Sequence, residues 1–319
     1  MRPHILVTRD LPGPALRLLA ESCEVDLNRE ERTLRKEEIV AMIPGKAGLL
    51  CTLSDRVDRE VINAGKELKI IANYAVGINN IDVSYAKQNR IFVTNTPDVL
   101  TDATADIAWA LILTLTRRII PADRFTREGK FRGWAPGLFL GKSIQKKVLG
   151  IIGMGRIGKA VARRGVAFGM KVVYSDPNRL GGEEEKNLSI QYLPFQQLLR
   201  AADVLTLHLP LTEESRGLVG EKELASMKKG VFLINTARGE IVNEKALVRF
   251  LKSGHLAGAG LDVYEREPAM EEELKMMENV VLLPHIGSAT VEVREKMAMV
   301  AAQNILAALR GEKPPNCVF

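Results

Sequence analysis

The sequence predicts an α/β protein made of two parallel-sheet domains, one of them doubly wound. Three observations predict it. Apolar runs of strand length alternate with amphipathic runs of helix length along the 319 residues. A glycine-rich turn, Gly153-x-Gly155-x-x-Gly158, separates a strand-like run from a helix start. The length also exceeds what a single hydrophobic core usually serves.

In chain order, residues 5–7, 24–27, 48–51, 68–72 and 91–94 read as short strands, with helices expected at 14–20, 36–43, 59–64 and 83–88. Two loops leave strand ends in this part, 52–56 and 73–80. The second is small and contains Gly77, so its bare amides can hold a carboxylate or simply turn the chain. Residues 101–113 form an apolar helix capped by Thr101 or Asp102, which carries the chain from one domain into the other. The polar segment 124–142, with Phe131 and Trp134, is long for a plain loop and reads as an arm against a second subunit, or else as a surface loop whose Trp134 packs locally.

The stretch 147–176 carries the strongest signal. Residues 148–152 are a continuous apolar run, the mark of a strand buried on both faces. Gly153 permits the tight turn, Gly155 lets a phosphate approach the backbone, and Gly158 lets the next helix pack on the strand. That helix ends at Gly169, strand 171–175 follows, and Asp176 stands 18 residues past Gly158. An acid there can accept hydrogen bonds from adenosine ribose hydroxyls, so the unit binds a dinucleotide. Residues 181–185, Gly-Gly-Glu-Glu-Glu, read as a solvated turn. Strands at 204–208, 231–235, 257–263 and 280–283, with a helix at 244–252, bring this sheet to about six strands. A last helix at 290–309 ends at Gly311 and returns to the first domain, making that domain discontinuous. The expected division is 1–99 with 289–319 against 100–288.

Composition narrows the function classes. Hydrophobic content of 46% with 26% charged residues is that of a soluble globular protein. No apolar run reaches the ~18 residues that span a bilayer. The N-terminus turns polar too soon for a signal peptide, so a cytoplasmic location is expected. Three cysteines, Cys23, Cys51 and Cys317, have no metal-type spacing and read as small hydrophobes in a reducing compartment. The net charge of +6 comes without Lys/Arg blocks interleaved with aromatics, so no nucleic-acid partner is expected. A mild positive field that attracts small anions is the better reading.

Three ionisable residues follow strands of the second domain: Arg238 after 231–235, Glu267 after 257–263 and His285 after 280–283. In an open parallel sheet the ligand crevice lies at those carboxyl ends. Singly each has a bland reading, as a helix-entry turn, a solvated turn or a core histidine. Together, beside a nicotinamide site, they suit reduction of a 2-keto acid. Arg238 holds the carboxylate and polarises the carbonyl, His285 protonates the alkoxide, and Glu267 steadies the imidazolium.

These residues carry a family resemblance. The glycine turn, Asn235-Thr-Ala-Arg238-Gly239, Leu261-Asp-Val-Tyr-Glu-Arg-Glu267-Pro268 and Pro284-His285-Ile-Gly-Ser-Ala289 resemble the signatures of the D-isomer-specific 2-hydroxyacid dehydrogenases. Residues 73–77, 101–106 and the Trp134 segment look most like its glyoxylate and hydroxypyruvate reductases. The resemblance implies a Rossmann nucleotide domain with a flavodoxin-like substrate domain, and a homodimer. It implies Arg238, Glu267 and His285 as catalytic residues, and substrate contacts from Leu53, Ser54 and the Val76 and Gly77 amides. It further implies Arg156 and Ile157 at the pyrophosphate, with Thr104, His208, Pro210, Thr236, Ala237 and Asp262 along the rest of the cofactor. NADP-using glyoxylate reductases usually carry Arg or Ser-Arg where Asp176 stands, so NAD(H) is preferred, with NADP(H) use possible through Arg179. Two neighbouring readings are weaker. Corepressors resembling the family commonly carry long disordered extensions, and the longer phosphoglycerate dehydrogenases carry an added regulatory domain; neither is expected here.

Overall fold

The computed structural model describes residues 2–319 and divides into two compact units, one formed by residues up to Leu100 with Ser288–Phe319, the other by Thr101–Gly287. In the first unit, β1 (His4–Val7), β2 (Glu24–Leu27), β3 (Gly48–Thr52), β4 (Ile70–Tyr74) and β5 (Phe92–Thr94) form one parallel sheet in the order β2-β1-β3-β4-β5. That is the flavodoxin-like order. Helices α1 (Ala15–Ser22), α2 (Lys36–Met42), α3 (Arg59–Ala64) and α4 (Val83–Gln88) alternate with the strands.

Strand alternation divides the core of this unit in two. Ile5, Val7, Leu50, Ile70 and Ala72 face one way and pack with Met297, Ala301 and Ile305 of the helix Val291–Leu309. Leu6, Leu49, Cys51 and Ile71 face the other way and pack with Ile39 and Val61. A sheet covered on both faces buries every position of a central strand, and β4 accordingly has all five residues buried.

The second unit holds β6 (Val148–Ile152), β7 (Lys171–Ser175), β8 (Ile190–Tyr192), β9 (Val204–Leu207), β10 (Val231–Asn235), β11 (Leu256–Leu261) and β12 (Val280–Leu282). All are parallel, in the order β12-β11-β10-β9-β6-β7-β8. The first strand lies inside the sheet, the next two run outward from it, and β9 returns to its other side. This is the doubly wound dinucleotide order with one added strand, and its switch point lies between β6 and β9. The helices are α5 (Thr101–Thr116), α6 (Ile119–Arg127), α7 (Arg156–Ala167), α8 (Gly182–Leu188), α9 (Phe195–Ala201), α10 (Glu221–Ser226), α11 (Glu244–Lys252) and α12 (Glu272–Lys275). Helix α5 lies tightly on β11, because a Cβ added at Gly260 would stand 2.9 Å from Leu111 Cβ.

The structure corrects four expectations. The sheet has seven strands rather than about six, the extra one being the three-residue β8. Residues 181–185 enter α8 instead of forming a turn: the glutamates occupy its first turn, where the helix dipole favours acids. Within the segment 124–142, residues up to Arg127 continue α6. Thr101 and Asp102 lie inside the first turn of α5 rather than before it, and Asp102 pairs with Arg164 at 3.1 Å. Among the described residues no helix is long and apolar enough to cross a membrane.

Candidate active site

Strand register brings the candidate side chains together. Asn235 of β10 pairs with Leu261 of β11, which pairs with Leu282 of β12, so three adjacent strands end at one level. Arg238, Glu267 and His285 all follow those ends. His285 Nδ1 lies 2.9 Å from Glu267 Oε2. An ionised carboxylate only accepts, so Nδ1 carries the proton and Nε2 is the nitrogen left for other chemistry. Burial pushes the Glu267 carboxyl up, but the His285 hydrogen bond and charge, the Tyr264 amide and the Arg238 charge together bring it below the usual carboxylate range. Burial lowers the Arg238 guanidinium, opposed by Glu267 and Glu240. It donates from Nη1 to the Ala237 carbonyl at 2.7 Å.

The backbone around His285 is held from both sides. His285 has φ +56°, a left-handed conformation uncommon for a non-glycine residue. Just past it, the Ile286 and Gly287 amides donate to the two carboxylate oxygens of Asp262, each at 2.7 Å, and the Thr104 hydroxyl donates to the Gly287 carbonyl at 3.1 Å. Asp262 is buried, and burial raises its carboxyl despite those two amides. Thr104 and Asp262 thus stand beside the histidine loop rather than at the glycine turn.

The glycine turn has the geometry a pyrophosphate needs. Gly153 has φ +92°, and a Cβ there would strike the His208 carbonyl oxygen at 2.3 Å. A Cβ on Gly158 would stand 2.1 Å from the Gly153 carbonyl oxygen. A Cβ on Gly155 would instead enter open space, the room a phosphate takes. Arg156 and Ile157 form the first turn of α7, which has no side-chain cap. At its far end Gly169, at φ +72°, and Met170 donate to the Val166 and Gly165 carbonyls, a Schellman stop. Asp176 follows β7 and accepts from the Met154 amide at 2.7 Å and the Asn178 amide at 2.8 Å. Around the ends of β9 and β10, the buried His208 Nδ1 and Thr236 Oγ1 have no hydrogen-bond partner. Burial holds the His208 imidazole down to about 3, so it is neutral. Pro210 is exposed and Ala237 buried on the same strand ends. Unsatisfied donors and acceptors beside a phosphate-shaped turn suit a nicotinamide dinucleotide.

In the first unit, Leu53 and Ser54 follow β3, while Val76 and Gly77 follow the adjacent β4. Asn80 ties the two loops, donating to the Thr52 and Asp55 carbonyls at 3.1 Å each. The Ala75 carbonyl accepts from the Thr96 amide at 2.9 Å and the Val76 carbonyl from the Asn95 side chain at 2.8 Å. In a trans peptide the N–H points opposite the carbonyl, so the Val76 and Gly77 amides are turned away from the 95–96 segment. Sequence reasoning missed Asn95, because an asparagine after a strand reads as a turn residue. Pro97, two residues on, is the signal in the sequence that could have pointed to a fixed segment.

Residues 109–287 match the family described as D-isomer specific 2-hydroxyacid dehydrogenase, NAD binding domain. The glyoxylate reductase of Thermococcus kodakarensis is 48% identical, aligned over 100% of this chain and 96% of its own. The chain belongs to the D-isomer-specific 2-hydroxyacid dehydrogenases. A solved structure of the TT0316 protein from Thermus thermophilus superposes with a TM-score of 0.92 at 45% identity, covering 99% of this chain and 100% of that one. An NADPH-dependent glyoxylate/hydroxypyruvate reductase from Sinorhizobium meliloti, solved with NADP and malonate, superposes at 0.89 with 34% identity, covering 100% and 97%. As a D-2-hydroxyacid dehydrogenase, the chain is an oxidoreductase with a nicotinamide cofactor, and its doubly wound sheet is the domain for it.

Proposed function

We propose that this dehydrogenase reduces a small 2-keto acid, glyoxylate or hydroxypyruvate, to the D-2-hydroxy acid, with NADH preferred. The observation that carries the reading is the 2.9 Å contact between His285 Nδ1 and Glu267 Oε2 at strand ends shared with Arg238. The names of the relatives, glyoxylate reductase and glyoxylate/hydroxypyruvate reductase, direct the choice of substrate.

When bound, a nicotinamide cofactor would supply the hydride for the carbonyl carbon. Arg238 is a permanent cation with a planar fork, suited to hold the keto acid and polarise its carbonyl. His285 delivers a proton from Nε2 to the oxygen as it becomes an alkoxide, and takes it back in the reverse direction. Glu267, ionised and bonded to Nδ1, favours the imidazolium and fixes the ring. The Val76 and Gly77 amides of the first unit are the further hold on the carboxylate, with Leu53 and Ser54 in the neighbouring loop. The glycine turn, Arg156 and Ile157 take the pyrophosphate, while Thr104, His208, Pro210, Thr236, Ala237 and Asp262 line the remaining cofactor. Asp176 accepts from ribose hydroxyls and repels a 2′-phosphate. Arg179, the one nearby cation that suggested NADPH use, is engaged by Glu185 at 2.9 and 3.0 Å and lies over the Tyr192 ring. A homodimer is part of the proposal, supported by exposed apolar side chains at Ile119, Ile120, Phe131, Trp134 and Leu140.

Nicotinamide absorbance tests this directly, with purified protein, NADH and a panel of 2-keto acids. Faster oxidation with glyoxylate or hydroxypyruvate than with larger keto acids is expected. Oxidation with none of the panel overturns the reading.

A further inference from the structure

We infer that Tyr264 is a positioning residue that sets all three of Arg238, Glu267 and His285 from a single buried side chain and its peptide. The inference rests on the proposed reductase reading for its kinetic part only. Three contacts carry it. The Tyr264 amide donates to Glu267 Oε1 at 3.1 Å, so the carboxylate that meets His285 through Oε2 is held through its other oxygen. The Tyr264 hydroxyl donates to the Leu283 carbonyl at 2.7 Å, two residues before His285. The Tyr264 carbonyl also lies against Gly239, the residue after Arg238: a Cβ added there would stand 1.8 Å from the Tyr264 carbonyl carbon.

The surroundings make these contacts rigid. Tyr264 is 6% exposed and packs in the core with Leu261 and Leu274. Burial raises its phenol, so the hydroxyl remains a proton donor throughout the working range. The loop that follows is tied down as well, since the buried Glu244 carboxylate accepts from the Glu265 amide at 2.6 Å and the Glu271 amide at 3.1 Å. Glu267 lies between those two anchors. The segment that carries the carboxylate is therefore fixed at both ends, and the phenol links it to the strand end that carries the imidazole. His285, in its left-handed conformation, depends on such ties to stay in place.

Tyr264→Phe removes the hydroxyl and keeps the ring. In the reductase assay we expect kcat for glyoxylate to fall about tenfold while KM for NADH stays within about twofold, because alignment is lost and cofactor binding is not. A second readout needs no turnover: the downfield proton signal of His285 Nδ1–H, identified by its loss in Glu267→Gln, should shift upfield or broaden in Tyr264→Phe. Tyr264→Met, which also lacks the hydroxyl, is measured alongside so that one poorly folding variant does not decide the result. A lower Tm with unchanged kcat and an unmoved imidazole signal, in whichever variant folds, would overturn the inference. A wild-type enzyme inactive on every keto acid would sink the reductase reading, and the proton signal would still test Tyr264.

Discussion

Glu267 uses both carboxylate oxygens, one toward the Tyr264 amide and one toward His285 Nδ1, so its charge is aimed at the imidazole. Its carboxyl is held below the usual range despite burial. A depressed carboxyl contributes stability that is present above its unfolded value of ~4.3 and is lost as pH falls through the folded value. The carboxylate is thus ionised wherever the enzyme works. In the proposed reduction that charge steadies the imidazolium as His285 gives its proton to the substrate oxygen. Replacing Glu267 by Gln removes the charge aimed at the imidazole, so kcat/KM for glyoxylate should fall about tenfold, and the loss of stability on acidification that comes from protonating Glu267 should disappear. Glyoxylate reduction at neutral pH and thermal melts between about pH 3 and 7 in both proteins check it, and an unchanged kcat/KM contradicts the pairing.

The glycines of the turn should separate folding from binding. Gly155→Ala adds a methyl group in open space at an ordinary φ of −73°, so Tm should hold while the dissociation constant for NADH rises at least tenfold. Gly158→Ala drives a methyl to 2.1 Å from a backbone oxygen and should cost about 1–3 kcal/mol or more of stability. Thermal melts with and without NADH distinguish the two. Equal NADH affinity in Gly155→Ala would place the pyrophosphate elsewhere.

Cofactor choice should depend on Asp176 first and on the Arg179–Glu185 pair second. The wild type should show a higher kcat/KM with NADH than with NADPH. Asp176→Ser should narrow that ratio by about tenfold, because it removes the carboxylate that repels a 2′-phosphate. Adding Glu185→Gln, which releases Arg179, should narrow it further. A wild type that prefers NADPH refutes the ordering at the outset.

Asn95 should act on substrate binding alone. Its side chain holds the Val76 carbonyl at 2.8 Å and thereby orients the Gly77 amide. Asn95→Ala should raise KM for the keto acid about three- to tenfold, the loss of about 1 kcal/mol of orientation, with kcat and KM for NADH little changed. A fall in kcat at constant KM would count against the carboxylate role of this loop.

Light scattering should give twice the chain mass at working concentrations. Trp134 is 84% exposed and Leu140 is 70% exposed, apolar side chains of one segment that a second copy of the chain would cover. Trp134→Arg with Leu140→Asp should shift the mass toward one chain. A monomeric wild type ends the proposal of a dimer.

Much of this molecule was legible in the residues, for reasons that differ from element to element. Strand β10 and helix α11 have the bounds expected from the residues, because an unbroken apolar run and a helical stripe are unambiguous, and the structure adds the Asn243 cap. Strand β4 was set two residues early: its polar end, Asn73 and Tyr74, is buried through side-chain hydrogen bonds that no hydrophobic pattern reveals. Helix α8 was misread because Gly-Gly-Glu-Glu-Glu has no apolar stripe, and its place depends on Glu185 meeting Tyr174 and Arg179 from outside the window. The Arg, Glu and His positions were readable as strand-end residues. What sequence could not give was the distance between them, which comes from the register of β10, β11 and β12.

The helix Val291–Leu309 has a consequence for synthesis. It supplies Met297, Ala301 and Ile305 to the core of a sheet whose strands were all made within the first hundred residues, and the Tyr74 hydroxyl finds its acceptor, the Arg294 carbonyl, 220 positions later. As the chain leaves the ribosome, one face of that sheet must remain uncovered while the whole nucleotide unit emerges. Of the two units, the interrupted one is made first and finished last. A nascent chain stalled before residue 291 would therefore expose a greasy sheet face beside a nucleotide unit that already has all its strands, the form that holdase chaperones and proteases meet.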